Sequence, residues 1–386
     1  MSRIKRVEAF QLEIPRDKPY LGELRPGETI NERGYFVRGG NRTVYPATDK
    51  SIILRLETDD GIIGWGETYG IVAPGAVLAI IRDLFTVFLV GRDPLDVSVI
   101  YEDLYDLMRV RGYDGGFYHD ALAAVDIALW DICGKIHGVP VAKLLGGLRH
   151  ERLPGYVSGL PGPNEQARAE LALSWQAKGF NQFKFAGPAV DDVALEFKTL
   201  REALGPTADI AADLHWAYTD IETIALAHRV LPYNPWFIEA PVHPEDINGL
   251  AEITRRSPVP TAAGEEWRHV FDVALRIEKG APSIVQPEMG HVGITQFMRM
   301  SQYAQAHHRI VMPHATIGLG IFLAASIQAS AAVQAVAGHE FQHTIIERTG
   351  RFIEGEFVVE KGAYVVPQRP GIGVEPTAEA IKMFKE

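Results

Sequence analysis

The sequence predicts an α+β domain followed by an α/β barrel of the TIM type. Three observations carry this expectation. Strand-like alternation gives way to helical periodicity over the first 138 residues. From about residue 155, short apolar strands alternate with amphipathic helices. Nearly every one of those strands ends in a charged or titratable residue.

The amino-terminal elements follow from local pattern. Arg3–Ile14 and Ser51–Glu57 alternate apolar and polar residues, as strands with one wet face do. Thr58-Asp59-Asp60-Gly61 is a hairpin turn leading into Ile62–Glu67. The long polar stretch Arg16–Asp49, which carries Tyr20, Arg25, Asn41, Arg42 and Tyr45, is a connection of the kind that is functional or mobile. Residues 75–138 read as helices, and the periodicity of His119–Ile136 stops before Gly138-Val139-Pro140. Strands followed by helices give an α+β domain.

The barrel strands are read at Tyr156–Ser158, Gln182–Phe185, Ile210–His215, Trp236–Glu239, Pro260–Gly264, Ser283–Gln286, Arg309–Met312 and Thr344–Glu347. Helices Glu165–Lys178, Asp191–Leu204, Asp220–Leu231 and Val270–Lys279 lie between them. An open doubly wound sheet is the alternative, but no glycine-rich phosphate loop follows the first strand.

Composition narrows the function. With 386 residues, 47% hydrophobic and 23% charged, the chain has the make-up of a globular protein. A net charge of −11 without Lys/Arg blocks argues against nucleic acid as a partner. Cys133 is the one cysteine, expected as a buried thiol, and a reducing cytoplasmic address fits. Met1–Pro15 lacks the apolar core of a signal peptide. Ala315–Gly338 is uncharged, but Ser326, Gln328, Ser330 and Gln334 would sit in lipid if it spanned a membrane. A small-residue helix packed inside the protein is expected instead.

The strand ends, in order, are Lys184, Asp213 with His215, Glu239, Glu265, Glu288, His314 and Glu347. In a TIM barrel these carboxyl ends form the active-site face. Asp213, Glu239 and Glu265 stand 26 residues apart, one strand–helix unit each, so three carboxylates converge. A pair of such charges at ~4 Å repels by about 4 kcal/mol at an effective dielectric near 20. A hard divalent cation removes that cost, and an all-oxygen donor set selects Mg²⁺ over Zn²⁺. His215 shares a strand face with Asp213, beside the metal without needing to be a ligand. Glu288 could bond a ring nitrogen of His314 and raise its basicity.

These residues, with Ala124–Lys135 (AVDIALWDICGK), Pro140–Gly147 (PVAKLLGG) and the turn Gly64-Trp65-Gly66-Glu67, resemble the mandelate racemase and muconate lactonizing branch of the enolase superfamily. The resemblance implies a capping domain (1–138), a (β/α)7β barrel (139–350) and a C-terminal segment (351–386) that returns to the cap. It also implies a homo-oligomer, one Mg²⁺ per subunit, and abstraction of a proton next to a carboxylate to give an enediolate, chemistry that belongs to the superfamily as a whole. Asp213, Glu239 and Glu265 match the metal ligands, His314 the histidine base, and Glu347 the late glutamate at the substrate carboxylate.

Two departures matter. Many members carry Lys-x-Lys on the second strand; here Phe183-Lys184-Phe185-Ala186 has alanine at the second position. The histidine's partner is usually aspartate, and here Glu288 stands there. Without a second lysine, His314 is the one evident base, which suits β-elimination over racemisation. His215 then matches the acid of galactonate and mannonate dehydratase-like members, and Lys184 steadies the substrate carboxylate. The expectation is a dehydratase acting on an aldonate or aldarate. A cycloisomerase or epimerase with the same site, or a catalytically silent relative, are the competing expectations.

Overall fold

The computed structural model describes residues 2–19, 22–39, 41–315, 318–355 and 357–385. Its first strand, Ile4–Ile14, pairs antiparallel with Asp49–Thr58, which pairs in turn with Ile63–Tyr69. Ile52, Leu54 and Leu56 bury against helices Val97–Arg109 and Gly116–His137. The last strand lies directly on the second of these helices because Gly64 and Gly66 lack side chains. A Cβ on Gly66 would stand 1.9 Å from the Ala124 carbonyl oxygen. Cys133 is buried in this core, as its sequence context predicts.

Eight parallel strands form the second unit: Arg152–Ser158, Gln182–Ala186, Asp209–Asp213, Ile238–Glu239, Thr261–Ala263, Ile284–Val285, Ile310–Val311 and His339–Phe341. Each of the first six pairs with its successor, the eighth pairs with the first, and a bridge between Val311 and Val336 joins the seventh strand to the chain entering the eighth. With a helix in each of the seven connections this is a closed (β/α)7β barrel.

Tyr156, Ala211, Phe237, Ala262, Ile284 and Met312, on or directly beside six of these strands, pack as one buried cluster. Two residues further along stand Ser158, Asp213, Glu239, Gln286 and His314. Strand side chains repeat every two residues, so these polar groups form the next layer on the same side. The fold thereby delivers them together.

The eighth strand corrects one expectation. Residues 343–349 are helical, and the strand is His339–Phe341. The β-branched pair Ile345-Ile346 looks like a strand, but the segment is helical, with Ile345 and Thr349 buried one turn apart and Glu347 exposed. Phe341, by contrast, packs edge-on against Trp175 and lies 4.7 Å from Phe180, centroid to centroid.

Helix Ile321–Ala332 is almost wholly buried, and Ser326 and Gln328 on it are bonded inside the protein. Ser326 Oγ lies 2.8 Å from His339 Nε2, and Gln328 accepts from Ala142 N and donates to the Pro367 carbonyl. Among the described residues no helix is long and apolar enough to cross a membrane. The C-terminal segment first pairs Ala363–Val365 with the start of the first barrel strand. It then ends on the cap, where Lys385 exchanges backbone hydrogen bonds with Gln11 and Phe384 stacks on Phe10.

Candidate active site

A cavity of about 150 Å³ opens at the carboxyl ends of the strands, between barrel and cap. Lys184, Asp213, His215, Glu265 and His314 line it, with Glu340 from the eighth strand. Glu239 lies just beneath, buried.

The Lys184 ammonium is the hub of this cluster. It donates to Glu239 Oε1, lies 3.0 Å from Glu340 Oε1 and 3.8 Å from Asp213 Oδ2. Burial alone would push its pKa down, but Glu239 and Glu340 hold it well above the usual lysine range. Gln286 Nε2 donates to the other Glu239 oxygen at 2.6 Å. Burial and the neighbouring carboxylates push Glu239 up to about 8 despite that lysine. Burial likewise raises Glu265.

His314 is held from three sides. Nδ1 lies 2.7 Å from Glu288 Oε2, and Nε2 lies 3.3 Å from Glu265 Oε2 and 3.7 Å from Glu340 Oε2. Burial opposes the imidazolium, yet Glu265, Glu340 and Glu288 raise its pKa well above that of free histidine. His215 occupies a left-handed backbone position, φ 49°, and its Nδ1 lies 3.0 Å from Asp213 Oδ1. Against burial, Asp213 raises it to about 9. Both imidazoles line the cavity.

The donor set suits a divalent cation. Asp213, Glu239, Glu265, Glu288 and Glu340 gather around one ammonium and two imidazoles, an excess of acidic groups that a divalent cation would offset. Glu239, Glu265 and His314 bring one ligand atom each within 4.8 Å of one another. Asp213 stands apart from that trio, turned to His215 and to Lys184.

Of the residues the sequence singled out, Lys184, Asp213, His215, Glu239, Glu265, Glu288 and His314 meet here. Glu347 does not. It is exposed on the helix after the eighth strand, and the late glutamate of the site is Glu340, which also accepts from Ala315 N at 2.8 Å. The spacing held this signal: His314 to Glu340 is again 26 residues. Gln286 and His291 were also missed, although both lie within three residues of Glu288. In the long cap segment, Tyr45 lines the cavity and takes a 2.9 Å hydrogen bond from Asn41. Arg25 and Arg42 do not line it, and Tyr20 lies outside the described residues.

Comparison with known proteins agrees with this fold. Residues 43–146 match the mandelate racemase/muconate lactonizing enzyme N-terminal domain, and residues 166–380 the enolase C-terminal domain-like family. D-galactonate dehydratase of Ralstonia pickettii (strain 12J) is 31% identical over 351 residues, 86% of this chain and 90% of that one. D-galactarolactone cycloisomerase of Agrobacterium fabrum (strain C58) is 29% identical over 348 residues, 86% and 91% of the two chains. A crystal structure of an enolase superfamily member from Agrobacterium tumefaciens superposes with a TM-score of 0.97 at 53% identity, covering 100% of this chain and 99% of its own.

Proposed function

The chain belongs to the mandelate racemase and muconate lactonizing enzyme family of the enolase superfamily, and we propose that it is a hydro-lyase that converts a sugar acid to a 2-keto-3-deoxy acid. The carrying observation is that the cavity holds one carboxylate-backed base, His314 with Glu288, and a second imidazole, His215, while the second strand ends in Ala186. Racemisation needs a base on each face of the α-carbon. Elimination needs one base and one acid, which is what these side chains supply.

We assign Asp213, Glu239 and Glu265 as the ligands of Mg²⁺. When bound, the ion would stabilise the negative charge that builds on the substrate carboxylate as the α-proton leaves. The remaining roles belong to the chain. His314 Nε2 takes the α-proton, and Glu288 at Nδ1 stabilises the resulting imidazolium. The Lys184 ammonium, held by Glu239 and Glu340, offers fixed positive charge to the enediolate without reorganising. His215 gives its proton to the β-hydroxyl as the C–O bond breaks, so the hydroxyl leaves as water. The enol left behind tautomerises to the 2-keto-3-deoxy acid.

The test is a panel of aldonic and aldaric acids with Mg²⁺, read by carbonyl formation and by exchange of the α-proton with deuterium. A 2-keto-3-deoxy product supports the assignment. Conversion of a sugar lactone to an isomer of unchanged mass would instead favour cycloisomerisation, the activity of the Agrobacterium fabrum relative. Neither product nor exchange with any acid would refute both.

A further inference from the structure

A third histidine–carboxylate pair borders the same cavity and has no part in the mechanism above. His291 lies in the first turn of helix Met289–Ala306, three residues after Glu288, and lines the cavity on its cap side. Its ring stacks on Tyr69 of the cap sheet, with 4.2 Å between centroids and 19° between planes. Its Nδ1 lies 2.7 Å from Oδ1 of Asp120, on cap helix Gly116–His137, and Asp120 in turn pairs with Arg268 at 3.4 Å.

This geometry sets what the other ring nitrogen can do. An ionised carboxylate only accepts, so Nδ1 carries the hydrogen. Nε2 makes no hydrogen bond among the described residues, and in the neutral ring it is an acceptor. Burial and the nearby Arg268 keep His291 below the ordinary histidine pKa, although Asp120 works the other way. Among the described residues, the basic side chains that line the cavity besides His291 are Lys184, His215 and His314, all grouped with the carboxylates of the catalytic cluster. Among the described residues no lysine or arginine lines the cap side. A second carboxylate there would be desolvated beside Tyr69, Ile71 and an imidazole acceptor, with nothing to pair it.

We infer that His291, oriented by Asp120, is a specificity-determining residue that accepts a hydrogen bond from a hydroxyl on the far part of the substrate, so that the enzyme takes aldonic acids in preference to aldaric acids. This rests on the sugar acid reading above and names the substrate class within it. A site that buries an acceptor for a hydroxyl discriminates against ligands lacking that hydroxyl, because the acceptor is left unpaired.

The experiment compares D-galactonate, galactarate and a set of galactonates each lacking one hydroxyl beyond C3. It measures kcat and KM for the Mg²⁺-loaded wild type, for His291→Phe, which keeps the ring stack but loses the acceptor, and for Asp120→Asn. The wild type is expected to prefer D-galactonate to galactarate and to lose about tenfold in kcat/KM with one deoxy analogue. His291→Phe should turn over the parent and that analogue alike, with α-proton exchange retained, and Asp120→Asn should show the same loss of discrimination in part. Unchanged discrimination in both variants, or equal use of the two acids by the wild type, would overturn the inference while leaving the dehydratase reading intact. Absence of product and exchange with every acid would overturn the reading and the inference together.

Discussion

Glu288 grips His314 from behind, its Oε2 2.7 Å from Nδ1, while its Oε1 accepts from Gly290 N at 2.9 Å to cap the following helix. The partner of the base is thus fixed by the end of a long helix, and its extra methylene relative to aspartate is accommodated there. Glu288→Gln removes the charge and keeps the shape. It should lower kcat about 10–100-fold with little change in KM, as expected for a weakened base. An unchanged kcat would show that Glu288 only caps the helix.

The two imidazoles separate by isotope exchange. His314→Asn should abolish both turnover and exchange of the α-proton with deuterium. His215→Asn should slow dehydration by about 10²–10⁴-fold, the usual size of general acid catalysis, yet leave slow exchange. Exchange lost only in the His215 variant would reverse the assigned roles.

Metal dependence has its own test. Lys184 already balances part of the charge on Glu239, so the fold should survive chelation while activity does not. Glu239→Gln should lose both bound Mg²⁺ and turnover and keep its far-ultraviolet circular dichroism. Activity that persists after exhaustive chelation would remove the metal from the reaction.

The long cap segment is rooted at both ends. Arg16 pairs with Asp49 at 2.6 Å, both nearly buried, so the chain between them leaves and returns at one point. Tyr45 reaches the cavity from inside that loop. Limited proteolysis within residues 17–48 should slow when Mg²⁺ and a substrate-like acid are both present, as for a lid that closes on ligand. Equal cleavage with and without ligand would count against closure.

Stability should fall in mild acid because of His119. Burial holds its pKa down at about 4, against an ordinary value of 6.5. Between those values the unfolded chain binds the extra proton, so stability drops as pH falls through this window and the group has no effect above it. The loss amounts to about 3 kcal/mol at most. His119→Gln should flatten the melting-temperature profile between pH 6.5 and 4; an identical slope in both proteins would exclude this histidine.

Much of this site is legible in the sequence because barrel strands repeat at a regular interval and the pleat repeats every two residues. Asp213, Glu239 and Glu265 can be placed by counting alone. Glu347 misled because Ile345-Ile346 has strand character, whereas the true strand, His339–Phe341, is three residues long and opens with a buried histidine that only tertiary bonding to Ser326 explains. The partners across the cap–barrel seam were not legible either. Nothing local in Asp120 or His291 announces a contact 171 residues apart in the chain. The motif acids Asp126 and Asp131 also proved to be joints: Asp126 accepts from Thr295 N at 2.8 Å, and Asp131 from Trp65 N and Ile372 N at 2.9 and 3.0 Å.

One cap residue does more than close the site. The carboxylate of Glu67, fully buried, accepts from Ser51 Oγ at 2.6 Å and from the backbone N–H groups of Leu319, Gly320, Ile321 and Phe322. Gly320, Ile321 and Phe322 form the open N-terminus of barrel helix Ile321–Ala332 and Leu319 leads into it, so the helix is capped by a side chain from the other domain. Hydrogen bonds to a charged group contribute about 1.5–3 kcal/mol each. Cut away from the cap, the barrel would carry this apolar helix with these amide groups unpaired, and the cap would keep only Ser51 Oγ among these donors to Glu67. The two halves are therefore expected to fold together. The chain should melt in a single calorimetric transition, and Glu67→Ala should split that transition or lower it as a whole.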